Sequence, residues 1–154
     1  NVLMYDMKHS TLDFYNQLET ILKEHGVQSM LIEEKEIHTG GVLSNKRKYL
    51  RVTYRDFTYD ICGAPFGKSF FVSYWMYAEM KMGEFIVLHI PFIGKRLHRL
   101  FFRTTYYYVD TSNMFHSLVH DVIVNKVDEI AEEQKIERLS DDQRTPSMKN
   151  VFDR

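Results

Sequence analysis

The polar residues best placed for chemistry are Arg51, Arg55 and Asp60, which fall on two consecutive predicted strands. A carboxylate between two guanidinium groups stays ionised and can leave donor groups free for an anionic ligand. Such pairs are also common on strand faces, where they fix the register or form surface ion pairs, and this is the commoner outcome. The trio therefore predicts, as an alternative function, a small anionic-ligand pocket between the sheet and a C-terminal helix.

The two strands that carry this trio are predicted from alternation. Apolar and polar residues alternate along 49–55 and again along 57–62, with the period of two that is typical of half-buried strands. We predict a tight turn at Asp56-Phe57 between them. That turn would set Asp60 opposite Thr53 and diagonal to both arginines.

His116 and His120 are the candidate metal ligands, because their spacing on a predicted helix lets two imidazoles reach one metal ion. A structural zinc site requires four ligands, and nothing nearby has the spacing of a third histidine or a cysteine pair. Two histidines beside a buried helical stripe are the ordinary alternative. A metal-dependent enzyme is thus the least favoured function class, and we expect no cofactor.

The segment GAPFGKS at 63–69 resembles a phosphate-binding loop in composition. A Walker A loop has four residues between its glycines and is followed by a helix, whose N-terminus holds the phosphate. Here only three residues separate Gly63 from Gly67, and the pattern that follows is that of a strand. A plain hairpin turn is the better interpretation.

The second half of 85–103 has the pattern of a basic amphipathic helix. Such a helix can lie on an anionic membrane surface, dock on a protein partner or a second subunit, or pack on the protein's own sheet, which is the commonest outcome. The segment is too short and too charged to span a bilayer. The residues predicted to make the contact are Ile93, Lys95, Arg96, Leu97, Arg99, Leu100 and Phe101.

Length and composition predict one domain. The chain has 154 residues, of which 44% are hydrophobic, enough for one ordinary core. We place a single domain at 1–139 and a polar tail at 140–154. The formal net charge of -1 provides no overall field toward nucleic acid, and the aromatic residues are not interleaved with basic ones as stacking on single strands requires. No nucleic-acid partner is expected.

Cysteine content and the first residues predict where the protein resides. The single cysteine excludes an internal disulfide framework and a multi-cysteine zinc site, which is typical of a reducing compartment. The chain begins at Asn1 without a basic-then-apolar leader, so no signal peptide is predicted unless residues precede Asn1. We expect a cytoplasmic location, close to a membrane if 85–103 binds one.

The order of elements predicts an α+β fold with a mostly antiparallel meander sheet, packed by an N-terminal helix and a long C-terminal helix. The helices are predicted to begin at Ser10 and at Asp110, where capping residues precede an apolar stripe. The apolar run 69–79 is predicted as a central strand covered on both faces. The other predicted strands are 30–38, 49–55, 57–62, 85–90 and 104–109.

Three stretches of the chain resemble segments of an uncharacterised bacterial protein family. They are GVLSNKRKYLRV (41–52), DICGAPFGKSFFVSYW (60–75) and YYYVDTSNMFHSLVHDVI (106–123). We expect the resemblance to extend over most of the chain. It implies no activity, because the family has no assigned function. The leading prediction is therefore a non-enzymatic bacterial interaction domain that uses 85–103 to contact a partner, a second subunit or a membrane surface.

Overall fold

The computed structural model of the chain describes residues 2–38, 46–78, 105–136, 138–140 and 144. Within these residues lie the helices Thr11–Glu24 (α1) and Tyr106–Glu133 (α2) and the strands Val2–Met4 (β1), Met30–His38 (β2), Lys46–Tyr54 (β3), Phe57–Phe66 (β4) and Ser69–Ala78 (β5). The strands form one antiparallel sheet in the order β1-β5-β4-β3-β2. The predicted α+β fold is confirmed. The strand predicted at 85–90 lies outside the described residues.

Contacts divide these elements between two compact units. The first unit contains β1, α1, β4 from Cys62, β5 as far as Tyr74 and α2 from Val119. The second contains β2, β3, the start of β4, the end of β5 and α2 as far as Leu118. The predicted division into one domain at 1–139 and a tail stays a prediction.

In the first unit, helix α1 begins and ends where the sequence predicts. The Ser10 hydroxyl accepts a hydrogen bond from the backbone N–H of Asp13 at 3.4 Å, which satisfies one of the free donors of the first turn. Gly26 follows the helix with a φ of 64°, a left-handed conformation that glycine adopts without strain. The buried residues of α1 are Phe14, Tyr15, Leu18 and Leu22.

Helix α1 is anchored on strands β4 and β5 by aromatic packing and by one buried hydrogen bond. The rings of Phe14 and Phe70 meet edge to face, with centroids 5.4 Å apart. The backbone N–H of Gly63 donates to the Tyr15 hydroxyl at 3.0 Å. Gly63 is needed there because a Cβ atom would lie 2.6 Å from Phe14 Cδ1 and 3.1 Å from Phe70 Cζ.

The strand buried along most of its length is β4, whose residues 57–63 are all buried. The prediction that 69–79 is a central strand covered on both faces is confirmed for its first half, since β5 lies between β1 and β4 and is buried on both faces there, but not for its second half. Strand β1 has only three residues and pairs with β5 only at Phe70–Val72. Further along β5, Trp75 is 42% exposed. An apolar run shows that a strand has neighbours on its faces, but it does not show how far the adjacent strand extends.

Helix α2 begins at Tyr106, so the strand predicted at 104–109 is wrong. The Thr105 hydroxyl accepts a hydrogen bond from the N–H of Tyr108 at 3.2 Å, and the Thr105 carbonyl accepts one from Val109 at 3.1 Å. The preference of tyrosine for strands comes from side-chain packing and is weak on its own. The Thr105 cap satisfies a free backbone N–H of the first helical turn and so favours the helix. The predicted apolar stripe of the helix is buried as expected, at Phe115, Val119, Val122, Ile123, Val127 and Ile130.

Replacing Gly63 by alanine should lower the free energy of unfolding by about 1–3 kcal/mol, because the new methyl group overlaps the Phe14 ring in a packed core. Urea denaturation measures this loss. In a Phe14→Leu background the same replacement should be less destabilising, since the smaller side chain leaves room. A loss below about 0.5 kcal/mol in the wild-type background would show that α1 does not press on β4 at this point.

Candidate functional site

Strands β3 and β4 are joined by a two-residue turn at Arg55-Asp56. Arg55 takes a φ of 56°, the left-handed conformation that tight hairpin turns require. This turn places Arg51 directly opposite Asp60. The predicted register, with Thr53 opposite Asp60, is therefore wrong. It differs by two positions, so each residue still lies on the predicted face of the sheet.

Arg51, Asp60 and Tyr77 form a closely bonded polar cluster in the second unit. Arg51 Nε donates to Asp60 Oδ1 at 2.7 Å, and Arg51 Nη2 donates to Oδ2 at 2.8 Å. The Tyr77 hydroxyl donates to Oδ2 at 3.2 Å, and the guanidinium carbon lies 5.9 Å from the Tyr77 ring centroid. Asp60 is 5% exposed. The fork-shaped pair and the hydroxyl satisfy a carboxylate that would otherwise be unfavourable to bury.

This arrangement favours the structural interpretation of the predicted anionic-ligand site. Side chains alternate along a strand, so Asp60 lies on the opposite face from Tyr59, which packs edge to face on Phe115 of α2. The predicted location of the pocket, between the sheet and α2, is therefore not supported for Arg51 and Asp60. Arg55 is separate from the pair, because its guanidinium is bonded elsewhere.

Replacing Asp60 by asparagine should lower the free energy of unfolding by about 3 kcal/mol, because it leaves the Arg51 charge without its ionic partner in a largely buried site. Tyr77→Phe should lower it by about 1.5 kcal/mol through loss of a hydrogen bond to a charged group. Chemical denaturation at neutral pH measures both losses.

The matched control is Glu34→Gln, which breaks another ion pair between strands. Lys48 and Glu34 lie 3.4 Å apart with side chains 57% and 38% exposed, so this loss should be under about 1 kcal/mol. Equal effects at Asp60 and Glu34 would contradict the structural role. Small-anion binding by the wild-type protein that is lost in a stable Arg51→Gln protein would instead support the predicted ligand site.

The start of α2 and the β3–β4 turn together form an exposed aromatic surface, which we define as Arg55, Tyr106, Tyr107 and Met114. Arg55 Nη1 donates to the Tyr107 hydroxyl at 2.8 Å. Its guanidinium carbon lies 5.3 Å from the ring centroids of both Tyr54 and Tyr107, within the range of cation–π attraction. The hydrogen bond with Tyr107 is the main cause that raises the pKa of Arg55.

The apolar members of this aromatic surface are unusually open to solvent. Tyr106 is 91% exposed, Tyr107 is 64% exposed and Met114 is 72% exposed. Tyr107 and Met114 are seven residues apart, so they lie on the same side of the helix. Fixed, exposed aromatic, methionine and arginine side chains are the types enriched in protein contact surfaces.

The two candidate metal ligands each contact a tyrosine ring. His116 stacks on Tyr59, with centroids 5.7 Å apart, in the second unit. In the first unit, the ring of His120 meets Tyr74 edge to face at 5.5 Å, and burial raises the pKa of the Tyr74 hydroxyl. In the part of the chain that the structure describes, no three histidine, cysteine, aspartate or glutamate side chains are grouped as a metal site requires. Metal binding by this pair stays a prediction.

The predicted contact residues of 85–103 lie outside the described residues. Among the helices that the structure does describe, none is long and apolar enough to cross a membrane. A scan against protein-family models and searches of curated proteins and of solved structures found no match to this chain. The resemblance to an uncharacterised bacterial family accordingly stays a prediction, and the functional argument depends on the chain's own surfaces.

Sequence reasoning missed four residues of these sites, namely Tyr77, Tyr106, Tyr107 and Met114. Tyr77 lies in a run of aromatic residues, and only the strand order shows that its hydroxyl reaches Asp60. The strand predicted at 104–109 includes Tyr107, and a strand there gives no reason to expect its contact with Arg55. The signal that could have found it is Thr105, a good capping residue directly before the tyrosines.

Proposed function

We propose that this chain is a non-enzymatic interaction domain that pairs with a second copy of itself through the aromatic surface. The observation that supports this most strongly is the exposure of Tyr106, Tyr107 and Met114 beside a prepositioned arginine. Tyrosine provides a large contact area with few rotatable bonds, so ordering it at an interface costs little conformational entropy. Because Arg55 is already held by Tyr107, little of its freedom is lost when it binds.

The charges around the aromatic surface favour a second copy as the partner. In a two-fold interface the same patch is used by both copies: if residue i of one copy contacts residue j of the other, then j of the first copy contacts i of the second. A patch that pairs with itself through charges must therefore carry both a cation and an anion. Arg55 supplies the cation, and Asp110, which is exposed on α2 near Tyr107, supplies the carboxylate. Such pairing would make each charge contact twice. The formal net charge of -1 produces little repulsion between copies.

The aromatic surface alone is smaller than a stable interface. Standard interfaces bury about 800 Å² on each partner, more than four side chains provide. Segment 85–103 is separated from Tyr106 by two residues in the sequence and carries the predicted apolar and basic contact residues. We place it in the same contact, where Ile93, Leu97, Leu100 and Phe101 would extend the apolar area.

Sedimentation velocity over a range of concentrations tests this proposal. The wild-type protein should shift from one chain to two as its concentration rises. The double variant Tyr106→Glu/Met114→Glu should weaken pairing about thirtyfold or more, since it places charges at the centre of the contact. Both side chains are exposed, and a glutamate in the first turn of a helix is favourable, so the melting temperature should not fall.

The matched control is Tyr5→Glu/Leu12→Glu, which adds the same charge at exposed apolar residues of the first unit. This variant should still pair like the wild type. A wild-type protein that remains a single chain at every concentration would overturn the proposal. So would a Tyr106→Glu/Met114→Glu protein that pairs normally.

Contact of 85–103 with a membrane is the competing outcome, and co-flotation with anionic and neutral liposomes measures it. Salt-sensitive flotation that is lost on charge reversal at Lys95, Arg96 and Arg99, in a protein that remains a single chain, would replace pairing by membrane contact. Pairing without flotation is the result we expect.

A further inference from the structure

A cavity of about 430 Å³ lies in the first unit, beside the hairpin turn between β4 and β5. Its volume falls in the range of about 300–1,000 Å³ that is usual for small-molecule sites. The turn is formed by Gly67 and Lys68, and Gly67 has a φ of 63°. Opposite the turn, the chain that leads from β1 into α1 supplies the other wall. The lining residues that carry polar side chains are Lys8, His9, Ser10, Lys68 and Ser69.

The charges on this cavity are those of an anion site. Lys8, His9 and Lys68 line it, and none of the described lining residues carries a carboxylate. Ser10, which also lines it, is the N-cap of the 14-residue helix α1. The N-terminus of a helix carries a partial positive charge and free N–H donors, which favour phosphate and similar anions.

Among the described residues, two polar groups at this cavity have no hydrogen-bond partner. Ser69 is 9% exposed, and none of the described residues forms a hydrogen bond with its hydroxyl. His9 Nε2 is buried and has no hydrogen-bond partner in the described part of the chain, while its ring is held edge-on by Phe14 and Phe70. Buried polar groups without partners are unfavourable, and a ligand oxygen that accepts their hydrogen bonds would relieve this.

The segment 63–69 lacks a helix N-terminus of its own, which a phosphate-binding loop requires. The structure confirms that Gly67 and Lys68 form a hairpin turn and that a strand follows them. The helix N-terminus that this segment lacks is provided by α1, because Ser10 and Lys68 line the same cavity. The arrangement differs from a Walker loop, but it brings together the same components: a glycine turn, a lysine, a hydroxyl and a helix start.

We infer that this cavity binds a phosphate group, either free or as the monoester of a small molecule, with Lys8 and Lys68 as its ionic partners and Ser69 as a hydrogen-bond donor. A phosphate dianion matches the two lysines in charge and can accept several hydrogen bonds at once. The inference is independent of the proposed pairing, since every residue involved belongs to the first unit and the aromatic surface belongs to the second.

Isothermal titration calorimetry with inorganic phosphate, at constant ionic strength maintained with chloride, tests this site. Wild-type protein should bind phosphate at millimolar concentrations or below, and phosphate should raise its melting temperature. Lys8→Gln and Lys68→Gln should each weaken binding about tenfold, the effect of losing one charged hydrogen bond. Lys8→Arg and Lys68→Arg should retain most of the affinity.

The matched control is Lys23→Gln, which removes one positive charge from the far end of α1, where Lys23 pairs with Glu19 on the surface. This variant should bind phosphate like the wild type, which separates the local site from a general charge effect. Equal losses in all three glutamine variants would overturn the inference. So would a wild-type protein that binds neither inorganic phosphate nor vesicles that contain phosphatidic acid.

A phospholipid headgroup offers the same phosphate chemistry, and a second arm of the experiment distinguishes it. Phosphatidylcholine vesicles with and without phosphatidic acid are tested by co-flotation. Binding only to phosphatidic-acid vesicles, lost in Lys8→Gln and Lys68→Gln but retained in Lys23→Gln, would support the site with a lipid source. Binding of free phosphate with the same variant pattern would support a soluble ligand.

Discussion

The burial of strand β4 is the constraint on which the rest of the structure depends. Residues 57–63 are withdrawn from water, so every backbone N–H and C=O group in that stretch requires a partner. Strands β3 and β5 flank β4 in the sheet and supply ladder partners, and the Tyr15 hydroxyl of α1 accepts the hydrogen bond of the Gly63 N–H. Buried polar side chains of β4 also require partners. The Asp60 carboxylate accepts hydrogen bonds from Arg51, as a forked pair, and from the hydroxyl of Tyr77. Burial also restricts side-chain size. At Gly63 only a residue without a side chain leaves room for the ring of Phe14.

Much of this architecture could be predicted because local signals and tertiary packing agree. The helix stripe from Phe115 to Ile130 is spaced for a helix and is buried as such. Ser10 caps α1, and Gly67 provides the positive φ that the β4–β5 turn needs. Each of these signals depends on residues close together in the sequence, so no knowledge of distant neighbours was required. The fold class followed from them.

The errors arose where the outcome depends on residues far apart or on one unusual backbone angle. The position of the β3–β4 turn depends on the positive φ of Arg55, which its residue type does not announce. The exposure of Trp75 could not be foreseen from the apolar run around it, in which buried and exposed aromatic residues look alike. The tyrosines at the start of α2 have a propensity for strands, but the Thr105 hydroxyl caps the first turn and favours a helix there.

The difference between satisfied and open polar groups separates structure from function in this chain. The Arg51–Asp60 pair uses both carboxylate oxygens internally, so it presents little that a ligand could gain by binding. Arg55 is held in place on an exposed aromatic surface by its hydrogen bond with Tyr107 and by cation–π contacts with Tyr54 and Tyr107, so its orientation is fixed while the surface around it stays open to solvent. The cavity beside Lys68 combines cations with a buried imidazole nitrogen, His9 Nε2, that has no hydrogen-bond partner among the described residues, so a bound anion there would add contacts that those residues do not make. We therefore expect binding where the fold positions polar groups but leaves some of their hydrogen-bonding capacity unused. We expect a contribution to stability where the fold positions polar groups and also bonds them internally.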